Sequence, residues 1–257
     1  MEYTSEQVQQ LKRDKETSSR ALVRAYRDLI LETAPKLRIE KAREYLTHGV
    51  GRRLKIVARC LDKVFEIFPP DRKDILNSDE VADLEIHLHA FVINVNGLLD
   101  NLAWVFVLER NLLEAVGGRI AVGLFKKETR AHLPEDVQAY LMSEKIRDWH
   151  LTYAKEYRDA LAHRIPLYIP PSVIDPKDAE RHRQLDGEMF QAMLDGDIDL
   201  ADSKKSEQAA LESVCLTAVH SYSESQMVWI HAQMVADANT ALAVTGKIRK
   251  HLATPSN

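Results

Sequence analysis

Apolar positions recur at three- and four-residue intervals along most of the chain, the spacing that gathers them on one face of an α-helix. The clearest stripe is Leu54, Val57, Ala58, Leu61, Val64, Phe65 and Phe68, closed by Pro69-Pro70, and it predicts a helix over 52–68. A longer stripe, Leu84, Leu88, Phe91, Val95, Leu98, Leu102 and Val105, predicts a helix over 81–116 that begins behind N-cap candidates at 77–79 and ends at Gly117-Gly118. Such a helix, about 35 residues at ~1.5 Å each, is longer than one bundle needs. A kink at 94–97 or a part in dimerisation would account for the excess. Pro134 starts a third segment, in which Val137, Tyr140, Leu141, Ile146, Trp149, Tyr153 and Tyr157 carry the apolar face across a break near Ser143. The last stripe, from Leu211 through Met234 to Ile248, predicts a helix over 207–252.

The connecting stretches read differently. Residues 1–50 are charged, with a stripe at Leu22, Ala25, Tyr26, Leu29 and Ile30 and a breaker at Pro35, and they are expected to form an N-terminal helical extension or dimer arm. Pro166, Pro170, Pro171 and Pro176 make 165–175 an extended crossing over the bundle. A short helix over 176–194 and an acidic, turn-rich loop over 195–206 complete a proline-rich insertion around 165–206. The expected organisation is the extension 1–50, a helical bundle 51–253 carrying the insertion, and a disordered tail 254–257. Only 9 Gly and 9 Pro in 257 residues favour an all-α class over a strand-and-turn architecture, and no strand hairpin is expected.

Charge and composition narrow the function classes. The balance of 35 Lys+Arg against 39 Asp+Glu, net -4, gives no overall footprint for nucleic acid, so contact with phosphates requires a local patch. Arg52, Arg53, Lys55 and Arg59 form one candidate and Lys247, Arg249 and Lys250 another. Cys60 and Cys215 are too isolated for a disulfide framework or zinc module and read as reduced thiols. Residues 1–20 have no signal-like apolar core, and no run approaches the ~20 apolar residues of a membrane span. The expectation is a cytoplasmic protein with no membrane partner. There is no Walker-type phosphate loop, nucleophile elbow or zincin helix. Asp83/His87 and Glu85/His89 are spaced like metal ligands, but the same spacing suits a solvated face, and no metal or cofactor is expected. Asp100-Asn101 interrupts an apolar helix and reads as a polar contact to another helix or a group facing a cleft.

The remaining stretch, Tyr157-Arg158-Asp159-Ala160-Leu161-Ala162-His163-Arg164-Ile165-Pro166, pairs an arginine and a histidine at the end of a helix that proline stops. Four residues separate Arg158 from His163, and a polar residue follows the arginine. This resembles the HEPN superfamily (higher eukaryotes and prokaryotes nucleotide-binding), helical bundles whose ribonuclease members carry such an arginine–histidine motif. The resemblance spans roughly 52–252. It implies a four-helix bundle, a homodimer with a site shared between two copies, RNA as the partner and cleavage without a metal. Arg158 would clamp the phosphate and His163 would move a proton of the 2′-hydroxyl. Asp159 would orient either residue, and Tyr157 and Arg164 would add substrate contacts. Along a continuous helix five residues rotate by about 500°, leaving the two side chains ~140° apart. Either an unwound last turn or a second protomer must bring them to one phosphate.

Arg43 and His48 repeat the spacing. The later pair is preferred for its apolar helix, its Asp159 and its place in the chain. Two other classes compete with the nuclease. One is a helical interaction protein in which Arg158 pairs with Glu156 or Asp159. The other is a nucleotide- or nucleic-acid-binding module that does not cleave. A further protein partner is compatible with any of them.

Overall fold

The computed structural model describes residues 3–170, 172–219 and 227–252; the tail expected at 254–257 and His220 lie outside them. The chain is all-α, 74% helix and 5% strand. Helix α1 (Ser5–Asp28) opens on a reciprocal capping box: Thr4 Oγ1 accepts from the Gln7 N–H at 3.2 Å, and Gln7 Oε1 accepts from the Thr4 N–H at 2.8 Å. A π turn, Leu29–Thr33, and a 3-10 turn, Ala34–Lys36, which contains Pro35, carry it to its end. A short helix α2 (Glu40–Glu44) runs through a second π turn, Tyr45–Val50, into α3 (Gly51–Ile67).

Leu54, Val57, Leu61 and Val64 of α3 are fully buried, each contributing about 1.5–3 kcal/mol through lost apolar hydration. They pack on α4 (Ser78–Glu109), and both helices meet the last helix, α11 (Ile230–Leu252). The first fifty residues share this core. Leu22 and Leu29 are fully buried, α1 packs along α3 and α11, and Arg249 reaches back to Asp28 at 3.2 Å and Glu32 at 2.5 Å.

α4 starts where capping chemistry dictates: the Asn77 side chain accepts from the Asp79 and Glu80 N–H groups, both at 3.0 Å, and Glu80 accepts from the Asn77 N–H at 3.0 Å. The other Glu80 bonds go to the Arg72 guanidinium fork, both at 2.8 Å. The helix stays unbroken through 94–97 but stops at Glu109, seven residues short of the expected end. Asn111 turns the chain with φ +53°, and the Glu109 carboxylate is committed elsewhere, accepting from the N–H groups of Arg38 at 3.0 Å and Ile39 at 3.1 Å. By length and composition α4 passes as a membrane span, with an 18-residue window of mean hydropathy 1.6, yet 61% of that window is buried inside the protein. Its apolarity serves the core.

The C-terminal third departs from the expected pattern in two places. Residues expected as a loop over 195–206 instead enter α10 (Ile198–Ala209), which packs on α9 (Ala179–Leu194). The Asp197 side chain accepts from the Leu200 N–H at 2.9 Å, so aspartates that resemble a turn in composition start a helix. Residues 207–252 are not one helix. Strand β2 (Glu212–Val214) pairs antiparallel with β1 (Ser172–Ile174), and β3 (Thr217–Ala218) pairs antiparallel with β4 (Val228–Trp229). Val214 to Val219 are all buried, a continuous burial that a one-faced surface helix does not give and a covered strand does. The proline-rich crossing lies on α4: His89 Nε2 is 2.6 Å from the Leu167 carbonyl, and Glu85 accepts from the Ile169 N–H at 3.0 Å.

Candidate functional site

The motif is delivered by a run of short helices, α6 (Glu135–Met142), α7 (Glu144–Asp148) and α8 (Lys155–His163), with a π turn over Trp149–Ala154 between the last two. A buried carboxylate anchors that π turn. Asp237 of α11, 2% exposed, accepts from Trp149 Nε1 at 2.7 Å and Gln233 Nε2 at 2.8 Å, with Tyr153 as a third donor. Burial still pushes its carboxyl up to about 6, against the pull of those three bonds. The extra residue of a π turn resets the helix face. Leu151, inside the turn, and Lys155 and Arg158, beyond it, follow at four- and three-residue steps and line one side.

That side forms a wall of a cleft of about 640 Å³. Asn96, Leu99, Asp100 and Trp104 of α4 form another, and the loop 122–126 closes a third. Five basic side chains line it, Lys126, Arg130, Arg147, Lys155 and Arg158, against one acid, Asp100. His150 stacks on Phe125 with ring centroids 3.7 Å apart and planes 6° from parallel. Desolvation, helped by Lys155 and Arg158, pushes its imidazole down to about 4, and its buried Nδ1 has no hydrogen-bond partner among the described residues. Loss of solvent also raises the Asp100 carboxyl above its ordinary range, although Arg158, Lys126 and Arg53 pull it down. The arrangement suits an anion with an apolar body.

The expected site residues fall in three different environments. Arg158 opens on the cleft; its Nε is 2.7 Å from Asp159 Oδ1 but outside hydrogen-bonding geometry, so the contact is one of charge between neighbours. Tyr157 is 3% exposed and packs on Tyr153 at 4.5 Å; burial and the Asp237 charge push its phenol up to about 12. The substrate contact expected of Tyr157 gives way to a core role, because its position on the helix turns it towards α11. Arg164 is exposed and pairs with Glu156 at 3.0 Å. His163 is the last residue of α8, exposed, with no partner among the described residues, and it does not line the cleft.

Other candidates are spent on structure. Arg43 donates to the carbonyls of Ala34 at 3.2 Å and Leu37 at 2.5 Å, and His48 lies against Arg52. Arg53 donates to Asn101 at 3.0 Å and Asn94 at 3.1 Å, tying α3 to α4. Glu85 and His89 hold the proline-rich crossing, and no group of three metal-ligating side chains occurs among the described residues. His150, Arg147 and Lys155 are site residues that periodicity left unmarked; the Leu151-Lys155-Arg158 face was the available signal. No family model, curated protein or solved structure matches the chain. Fold and site together define a helical-bundle protein with a cationic cleft.

Proposed function

We propose that the chain is a metal-independent RNA endonuclease with a HEPN-like bundle, working as a homodimer. Arg158 holds the scissile phosphate, and His163 takes the proton of the 2′-hydroxyl. The 2′-oxygen then bonds to phosphorus while the bond to the 5′-oxygen breaks, the departing oxygen being protonated by solvent. The observation that carries this reading is the separation of the pair: Arg158 opens on a cleft with four other cations, while His163 stands unpartnered at the exposed end of the same helix. A second copy supplies what one chain lacks, the histidine of one protomer meeting the arginine of the other.

Digestion of RNA in EDTA tests it. Arg158→Ala and His163→Ala should each abolish cleavage with folding intact. Mixing the two variants should restore about a quarter of the activity, since half the dimers are mixed and each has one intact site. Full cleavage by either variant alone overturns the residue assignment. A second reading, nucleotide or RNA binding without cleavage, is favoured by the absence of His163 from the cleft lining; tight RNA binding with no cleavage would select it.

A further inference from the structure

Helices α9 and α10 form a hairpin that stands on the two-stranded ribbon of β1 and β2. They pack on each other and on no bundle helix to a comparable extent. Gly196, at φ +80°, turns the chain between them. At this tip Phe190, Met193, Leu194 and Ile198 are each more than half exposed, a gathering of large apolar side chains that marks a contact surface. The tip is also acidic, since residues 184–203 hold six Asp and Glu and no Lys or Arg. Asp195, Asp197, Asp199 and Asp202 have no ion pair among the described residues.

The basic cleft has the complementary character. Lys155 has no ion pair or hydrogen bond among the described residues, and Arg147 has only Asp148, at 3.9 Å. Beside them Met142 and Leu151 are exposed apolar side chains of the lining. A knob of apolar side chains set among carboxylates thus matches a hollow of about 640 Å³ whose apolar lining is set among cations. No tip residue lines the cleft of its own chain. Contact of tip with tip would set four unpaired carboxylates against four, and an anionic membrane surface would repel them as well. We propose that the tip of the α9–α10 hairpin docks in the basic cleft of a second copy of the chain, its apolar knob against Met142 and Leu151 and its aspartates towards Arg147 and Lys155. A seated tip fills the cleft, so any anion bound there must first displace it. The contact needs only these charges and apolar groups and does not rest on the nuclease reading.

Cross-linking of full chains with a short bismaleimide is the test, the native Cys60 and Cys215 being buried. A chain carrying Leu194→Cys, mixed with one carrying Leu151→Cys, should give a mixed covalent dimer. Leu194→Cys should join neither itself nor a chain carrying Val23→Cys, an exposed site on α1. Adding Arg147→Glu and Lys155→Glu to the Leu151→Cys chain should abolish the product. Asp199→Lys with Asp202→Lys on the Leu194→Cys chain should then restore it, because the charges again oppose. All four charged positions are exposed, so the fold should hold, and circular dichroism checks that it does. A tip-to-tip product, a Val23→Cys product of equal yield, or charge reversal without rescue overturns the docking. No product at all overturns it too and leaves the tip to a foreign cationic partner. RNA plays no part in this readout, so the nuclease stands or falls separately.

Discussion

The indole Nε1 of Trp149 donates to Oδ1 of Asp237 across 2.7 Å, joining the π turn before the motif helix to the last helix of the bundle. Because Asp237 is buried and its carboxyl is pushed up to about 6 from 3.8, the folded chain holds a proton there that the unfolded chain has released. Between these values the folded state binds more protons, so this group makes stability fall as pH rises, by about 3 kcal/mol in all. Asp237→Asn removes the titration. Urea midpoints measured from pH 4 to 7 should show the wild-type chain losing stability relative to the variant as pH rises to about 6 and remaining constant above. A pH-independent difference would contradict the assigned environment.

His231 gives the opposite sign. Its Nε2 lies 2.5 Å from the Phe68 carbonyl, and its ring packs on Phe65 and Phe68 with centroids 4.9 Å and 5.4 Å away. Burial pushes the imidazole down from 6.5 to about 4, so its stabilising contribution is present above pH 6.5 and is lost as pH falls towards 4, about 3 kcal/mol. His150, also lowered to about 4, adds in the same direction. His231→Gln, which keeps a donor for the Phe68 carbonyl, should flatten the acid limb of the stability curve. An acid limb as steep as the wild type's would show that other groups govern it.

Gly97 and Arg53 are coupled by space. A Cβ on Gly97 would overlap the Arg53 guanidinium, which is held by Asn94 and Asn101. Gly97→Ala should therefore destabilise the wild-type chain by about 1–2 kcal/mol through the lost bonds between α3 and α4. With Arg53→Ala in place the same change should stabilise by up to ~1 kcal/mol, because alanine is the better helix former. A double-mutant cycle by thermal unfolding checks the reversal of sign.

The two copies of the arginine–histidine spacing should part company on mutation. Arg43→Ala frees the carbonyls of Ala34 and Leu37 and should cost about 1–2 kcal/mol of stability without changing RNA cleavage by the folded chain. Arg158→Ala, at a side chain 38% exposed, should do the reverse. Parallel melts and cleavage assays decide it, and swapped effects would exchange the roles of the two arginines.

Much of the helical frame was legible. The stripe from Leu54 to Phe68, the Asn77 cap and the break near Ser143 are local signals, and each stands where the sequence puts it. The stretch 195–219 was not legible: aspartates that signal a turn also cap a helix, and an apolar run such as 214–219 fits helix and strand alike until its partners are known. At the site, Arg158 and Asp159 were visible as a motif. Asp100 was visible as a polar break that could face a cleft, whereas His150 and Lys155 were not, since each is ordinary on its own segment and becomes a cleft residue only when α4, the loop 122–126 and α8 come together.

By itself, then, the sequence determined the elements whose causes are local: helical periodicity, caps, proline stops and the spacing of Arg158 and His163. Tertiary structure alone decided that Tyr157 faces the core and that Arg158 opens on a basic cleft while His163 does not. The reason is physical. Local rules fix rotation about one helix axis, whereas burial, desolvation and charge pairing depend on which other helix lies across the gap.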